Sequence, residues 1–128
     1  ILFVTDRDGN QEIYKMSPDG QFLLNLSNHA AQDYQPVYSP NGRRIAFISD
    51  RNGNPDIYIM NADGSNLRNL TQDSNSSEES PTWSSDNEWI ACSANLAGNF
   101  EIYVITYDGS LRYNITIVQG DDRDPAWR

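Results

Sequence analysis

Asp33, Glu78 and Asp122 each stand three residues ahead of a proline (Pro36, Pro81 and Pro125), at the same place in an internal repeat. Carboxylates that recur in this way can converge. Together they would hold a hard cation such as Ca²⁺ or attract a basic segment of a partner. Gln35, Ser80 and Asp124 immediately precede the same prolines and add a second recurring set of polar groups. A competing reading is local: acidic side chains beside turns accept from turn N–H groups, and every copy of a structural turn would carry one. A further acidic pattern, Gly9-Asn10-Gln11-Glu12, Gly53-Asn54-Pro55-Asp56 and Gly98-Asn99-Phe100-Glu101, suggests a Ca²⁺-loop fragment. It lacks the alternating oxygen ligands of such a loop, so a hairpin turn followed by a strand-initiating acid is expected.

Other reactive groups are few. His29 is the sole histidine and falls in a polar link, among Ser27, Asn28 and Ala30. No Gly-x-Ser-x-Gly elbow occurs, and no second cysteine or histidine accompanies Cys92 or His29 in a zinc pattern. Cys92 takes the place of Phe3 and Phe47 in the other repeats and reads as a buried small hydrophobe. No catalytic residue, no firm metal site and no cofactor are expected, and the chain does not read as an enzyme. The formal net charge of −9 repels phosphate backbones and anionic lipid surfaces, which argues against nucleic acid and membrane as partners. No apolar run approaches the roughly 18–20 residues of a membrane-spanning helix.

The elements that position these groups follow from the repeat. Ile1-Leu2-Phe3-Val4-Thr5-Asp6 recurs as Ile45-Ala46-Phe47-Ile48-Ser49-Asp50 and as Ile90-Ala91-Cys92-Ser93-Ala94-Asn95. Ile13-Tyr14, Ile57-Tyr58 and Ile102-Tyr103 keep the same offsets, as do Asp19-Gly20, Asp63-Gly64 and Asp108-Gly109. Such a period marks stacked supersecondary units that cannot bury their faces alone. We read residues 1–128 as a single repeat domain with units 1–44, 45–89 and 90–128, the last truncated.

The middle unit predicts four strands. Pro36–Ser39 is opened by a proline that suits a strand's first position, and Pro40-Asn41-Gly42 supplies the turn. Arg44–Ser49, Asp56–Met60 and Leu67–Thr71 follow, separated by Gly- and Asn-rich turns. Four short strands per unit, with no helical periodicity, describe one antiparallel blade of an all-β propeller. In the third unit Ser85-Asp86-Asn87 replaces Pro40-Asn41-Gly42, which predicts a looser turn. Asn95-Leu96 replaces Asp6-Arg7 and Asp50-Arg51, so any role of that pair is confined to two blades. Tyr14, Tyr58 and Tyr103, with Tyr38, Trp83 and Trp127, are expected to pack blade on blade. Asn25, Asn69, Asn75 and Asn114 stand in Asn-x-Ser/Thr patterns that strand chemistry explains better than glycosylation.

Pro36 to Gly42, Ile45 to Gly53, Ile57 to Gly64 and Asn69 to Thr71 together resemble the TolB-type (WD40-like PD-repeat) propeller repeat. The resemblance covers essentially the whole chain. It implies a non-enzymatic scaffold that binds a protein or peptide through its channel mouth and loops, in a periplasmic or extracellular setting. The same repeat also forms lid or gating propellers of prolyl-oligopeptidase-like serine peptidases, and structural surface-protein repeats without a ligand. These remain the alternatives, because fold does not imply function. By the family's inner-to-outer order of strands, Asp33, Gln35, Glu78, Ser80, Asp122 and Asp124 are expected at the channel mouth. Asp33, Glu78 and Asp122 would be the ligands if Ca²⁺ is bound there.

The chain opens on Ile1 rather than Met, as a processed or excised segment would. It starts in a blade's second strand and ends in an inner one, Asp124 to Trp127. Three blades do not surround an axis without crowding, whereas propellers of about four to eight do. Two copies related by a two-fold axis would make six blades, exchanging strands at seams built from Ile1, Leu2, Phe3 and Val4 of one copy and Pro125, Ala126 and Trp127 of the other. The alternative is a piece of a longer six-bladed domain.

Overall fold

The computed structural model describes residues 1–72 and 75–128, and all regular structure among them is β. Strands β1 (Leu2–Thr5), β2 (Glu12–Met16) and β3 (Leu23–Asn25) form a first sheet in that order. Strands β4 (Asp33–Tyr38), β5 (Arg44–Ser49), β6 (Asp56–Asn61) and β7 (Arg68–Asn69) form the second. The third comprises β8 (Glu78–Trp83), β9 (Trp89–Ala94), β10 (Glu101–Thr106) and β11 (Arg112–Asn114). Every pairing is antiparallel between sequence neighbours. Each sheet is therefore a meander, and the molecule is an arc of β-propeller blades. β1, which is the second strand of its blade, touches the inner strand β4, and β4 touches the inner strand β8, while the outer strands β3, β7 and β11 make no mutual contact, so the sheets fan about an axis.

The middle blade shows why the strands read as apolar on both faces. Ile45, Phe47, Tyr58 and Met60 point to the first blade and pack on Ile13 and Leu26. Ala46, Ile48, Ile57 and Ile59 point to the third blade and pack on Ile90, Cys92, Ala94, Tyr103, Ile105 and Trp83. A strand's side chains alternate between faces, so a blade covered on both sides needs hydrophobes at every position. Burying one such side chain stabilises by about 1.5–3 kcal/mol, and two blade junctions contain most of the core.

Two sequence expectations are revised. The inner strand β4 starts at Asp33, ahead of Pro36, because a bulge between Tyr34 and Val37 carries the ladder past the proline. Glu79 and Thr82 flank the same bulge in β8. The turn at Asn87 is not looser than that at Gly42: both residues have φ of 68°, and each N–H bonds back to a serine carbonyl, Ser84 O at 3.1 Å and Ser39 O at 2.8 Å. Asparagine tolerates this left-handed conformation better than other side-chain-bearing residues. Asp124 to Trp127 forms no ladder within the single chain, while the first blade has three strands, as expected of a sequence that starts in a blade's second strand. The segment meets β8 and β9 through side chains, Ser80 Oγ donating to Asp124 Oδ1 and Asp124 N–H to Ser93 Oγ, and not through a backbone ladder.

Candidate functional site

The inner strands position the recurrent acids by a repeated local device. Asp33 N–H donates to Gln11 O, Glu78 N–H to Pro55 O and Asp122 N–H to Phe100 O, at 2.9, 2.9 and 2.7 Å. Each acid is thereby tied to the turn that precedes the third strand of the previous blade. Gln35, Ser80 and Asp124, two residues on, share positive φ values of 51°, 55° and 55°. Asp124 keeps this bulge conformation although its segment has no ladder partner.

The bulge residues meet one another. Ser80 N–H donates to Gln35 Oε1 at 2.7 Å, and Ser80 Oγ donates to Asp124 Oδ1 at 2.6 Å. Asp124 N–H is held by Ser93 Oγ at 3.0 Å. The result is a polar row across the inner ends of the blades, with Gln35 and Asp124 exposed and Ser80 half-buried.

The acids themselves lie behind this row. Asp33 is fully buried, and Arg51 Nη2 donates to its two oxygens at 3.0 and 3.1 Å. The same guanidinium lies 4.8 Å above the Tyr58 ring and donates from Nε to Ser49 Oγ at 2.8 Å. Glu78 is also buried. It accepts from Ser76 Oγ at 2.8 Å, Thr71 Oγ1 at 3.1 Å and Arg112 Nη2 at 3.2 Å. Burial pushes the Glu78 carboxyl above the usual glutamate range, opposed by the Ser76 hydrogen bond and the Arg112 charge. Asp122 is half-buried, with no side-chain hydrogen bond among the described residues. No group of three or more His, Cys, Asp or Glu side chains among the described residues could hold a metal ion. Asp33, Glu78 and Asp122 thus do not meet as a cluster.

Arg112 is a residue that repeat comparison missed. It substitutes from β11 for the arginine that Leu96 displaces, and it stacks 4.9 Å from the Tyr103 ring as Arg51 does on Tyr58. A guanidinium can reach the same buried carboxylate from a different strand, so only contacts reveal the equivalence.

The Gly-Asn-x-acid motif is a clamp between blades. Asn10 Nδ2 donates to His29 O and Ala31 O at 2.8 and 2.7 Å, Asn54 Nδ2 to Ser76 O at 2.7 Å and Asn99 Nδ2 to Gly120 O at 2.5 Å. Glu12, Asp56 and Glu101 are buried beside them and accept from the hydroxyls of Ser27, Thr71 and Thr116. Hydrogen bonds from Thr116 and Asn99 hold the Glu101 carboxyl below the usual range. Its links are thus structural. His29 is exposed, with Nδ1 accepting from Ala31 N–H at 3.1 Å. Burial raises the Cys92 thiol to about 12.

The Tol-Pal system protein TolB of Geobacter sulfurreducens is 44% identical over 45 residues, which is 35% of this chain and 10% of that protein. TolB from Acinetobacter baumannii has a TM-score of 0.78 at 26% identity, over 95% of this chain and 31% of that one. The putative TolB from Agrobacterium tumefaciens has a TM-score of 0.81 at 24% identity, over 91% of this chain and 44% of the other. A Mycobacterium tuberculosis puromycin-hydrolyzing peptidase shares the fold at a TM-score of 0.73 and 17% identity, over 85% of this chain and 19% of the peptidase. The matched stretch covers about a tenth of the curated relative, and the chain covers less than half of each of these solved chains. The TolB beta propeller domain model matches residues 1–101, and the chain belongs to that family.

Proposed function

We propose that this chain is a non-enzymatic binding scaffold, forming half of a six-bladed ring that a second copy completes, in the periplasm. Its inner rim, presented by Gln35, Ser80 and Asp124, takes an extended protein or peptide segment. The observation that carries this reading is the polar row itself. Three equivalent bulges bring an amide, a hydroxyl and a carboxylate together within 2.6–2.7 Å links at the converging ends of the blades. Asp33 and Glu78 stay behind it, neutralised by Arg51 and Arg112. Asp122, Asp124 and the overall charge of −9 favour a basic segment over an acidic one.

Titration with an unstructured Lys-rich peptide, followed by backbone NMR shifts, tests this. Shifts confined to Gln35, Ser80, Asp124 and their neighbours, and lost in Asp124→Asn with Ser80→Ala, support the rim. Shifts absent at all peptide concentrations, or scattered over the acidic surface, refute it.

The fold likeness to a puromycin-hydrolyzing peptidase favours one second reading, a gating propeller beside a hydrolase domain. An active-site-directed fluorophosphonate decides between them. Labelling of the natural full-length product would establish the peptidase reading, and an unlabelled product excludes it.

A further inference from the structure

Arg44 opens β5 and Arg68 opens β7, on either side of β6. Across the ladders Arg44 faces Asn61 and Arg68 faces Ile59. Side chains alternate between faces, so both arginines share the face of Ala46 and Ile59, which packs on the third blade. The place is internal to the arc, at the end of β5 away from Ser49, where Asp33 and Arg51 meet.

One residue of the third blade holds both guanidiniums. Arg44 Cζ lies 4.1 Å from the centre of the Tyr107 ring. Arg68 donates from Nη2 to Tyr107 O at 2.5 Å and from Nη1 to Asp108 O at 3.0 Å. With Asn61, Asn66 and Tyr107 they line a cavity of about 210 Å³, where Arg44 is half-buried and Arg68 exposed.

The charge at this place is not balanced by the chain. Arg51 and Arg112 are each set on a buried carboxylate, whereas Arg44 and Arg68 form no ion pair among the described residues. The chain has 18 acidic residues against nine basic ones, so acids are not scarce. The Asp108 carboxylate turns into its own hairpin, accepting from Ser110 N–H and Oγ at 3.0 and 2.7 Å. Folding does not call for the pair either. One repeat on, the same two positions hold Trp89 and Tyr113, whose rings pack 6.1 Å apart. Asn66 adds an amide with no side-chain hydrogen bond among the described residues. Its φ of 54° is a left-handed conformation that its counterparts Phe22 and Leu111 do not share.

We propose that Arg44 and Arg68 bind one phosphate dianion, free or as a small phosphate monoester, with the Asn66 amide as a third donor. Two guanidiniums match the charge of the dianion, and its several oxygens accept from both, whereas a single carboxylate is satisfied by one guanidinium fork. The cavity is smaller than the roughly 300–1,000 Å³ of sites for drug-sized ligands, so it suits a group of this size. The net charge of −9 repels polyanions and leaves a small anion as the favoured occupant. The site lies within one chain and is independent of the rim and of any second copy.

Isothermal titration calorimetry of the natural full-length product with sodium phosphate, at constant ionic strength, tests this. Saturable binding is expected, weakened about tenfold or more by Arg44→Gln and by Arg68→Gln, as loss of a hydrogen bond to a charged group predicts. Arg44→Trp combined with Arg68→Tyr installs the third repeat's aromatic pair and should abolish binding while thermal melting stays near that of the unsubstituted protein. If the arginine variants fail to fold, Asn66→Asp sets a negative charge in the cavity without touching the arginines' contacts to Tyr107. It should weaken phosphate binding by tenfold or more. Glycerol 1-phosphate binding more tightly than phosphate identifies a monoester as the ligand, and phosphate binding at least as tightly identifies the free ion. Absence of saturable binding to both, affinity unchanged in these variants, or sodium acetate binding as tightly as phosphate would overturn the proposal.

Discussion

Arg51→Met removes the charge partner of a carboxylate that water cannot reach. The Asp33 side chain is 0% exposed and that of Arg51 10%, so the pair belongs to the buried class. Breaking a buried pair from one side costs about 3–5 kcal/mol, because the remaining charge keeps its desolvation penalty. An exposed pair would cost about 0–1 kcal/mol. The loss is a large fraction of the stability of a domain this size, on the order of 5–15 kcal/mol. With a urea m-value of about 2 kcal/mol/M, the midpoint should fall by roughly 2 M. Equilibrium unfolding followed by tryptophan fluorescence, to which Trp83 buried in the junction contributes, reads this directly. Chain concentration is held constant, since association adds its own stability. Adding Asp33→Leu should recover most of the loss, because replacing both partners with apolar side chains is often neutral or stabilising. A midpoint shift under about 0.5 M for Arg51→Met, below what even a weak buried pair should give, would refute the assignment of Asp33 to a buried structural role.

Four other sites give further outcomes. Cys92 should resist alkylation in the folded chain and react on denaturation, since it is fully buried with its thiol raised to about 12. The native state retains that proton while the unfolded thiol loses it near 9.0, so stability should fall as pH rises from 9.0 towards 12, and Cys92→Ala should lessen that slope by one proton's share, the remainder coming from buried tyrosines such as Tyr34 and Tyr58. Gly42→Asn should cost less than about 1 kcal/mol by chemical denaturation, since Asn87 already holds the same φ of 68° in the third repeat. Gly64→Ala should cost more than about 1 kcal/mol in the same assay, because its φ is +88° and the new Cβ would crowd Leu26 O. Asn54→Ala should lose roughly 1–3 kcal/mol and raise hydrogen exchange across the junction of the second and third blades, as Ser76 O loses its 2.7 Å donor.

The repeat alone determined the blade, its strand order and the faces that pack, because side-chain alternation and turn chemistry act over a few residues. Arg44–Ser49 and the Gly and Asn turns were legible for that reason. The resemblance of Pro36 to Thr71 to the TolB-type repeat identified the family on the same local grounds. The fate of the acids was not legible. A recurrent carboxylate looks the same whether it faces a channel or a buried arginine, and only packing decides which. Asp33 is paired with Arg51, and Glu78 with Arg112 from another strand, while Gln35, Ser80 and Asp124 are linked in one polar row. The tertiary structure decided these outcomes because desolvation and partner choice depend on groups brought close by the arc, up to tens of residues apart in the chain.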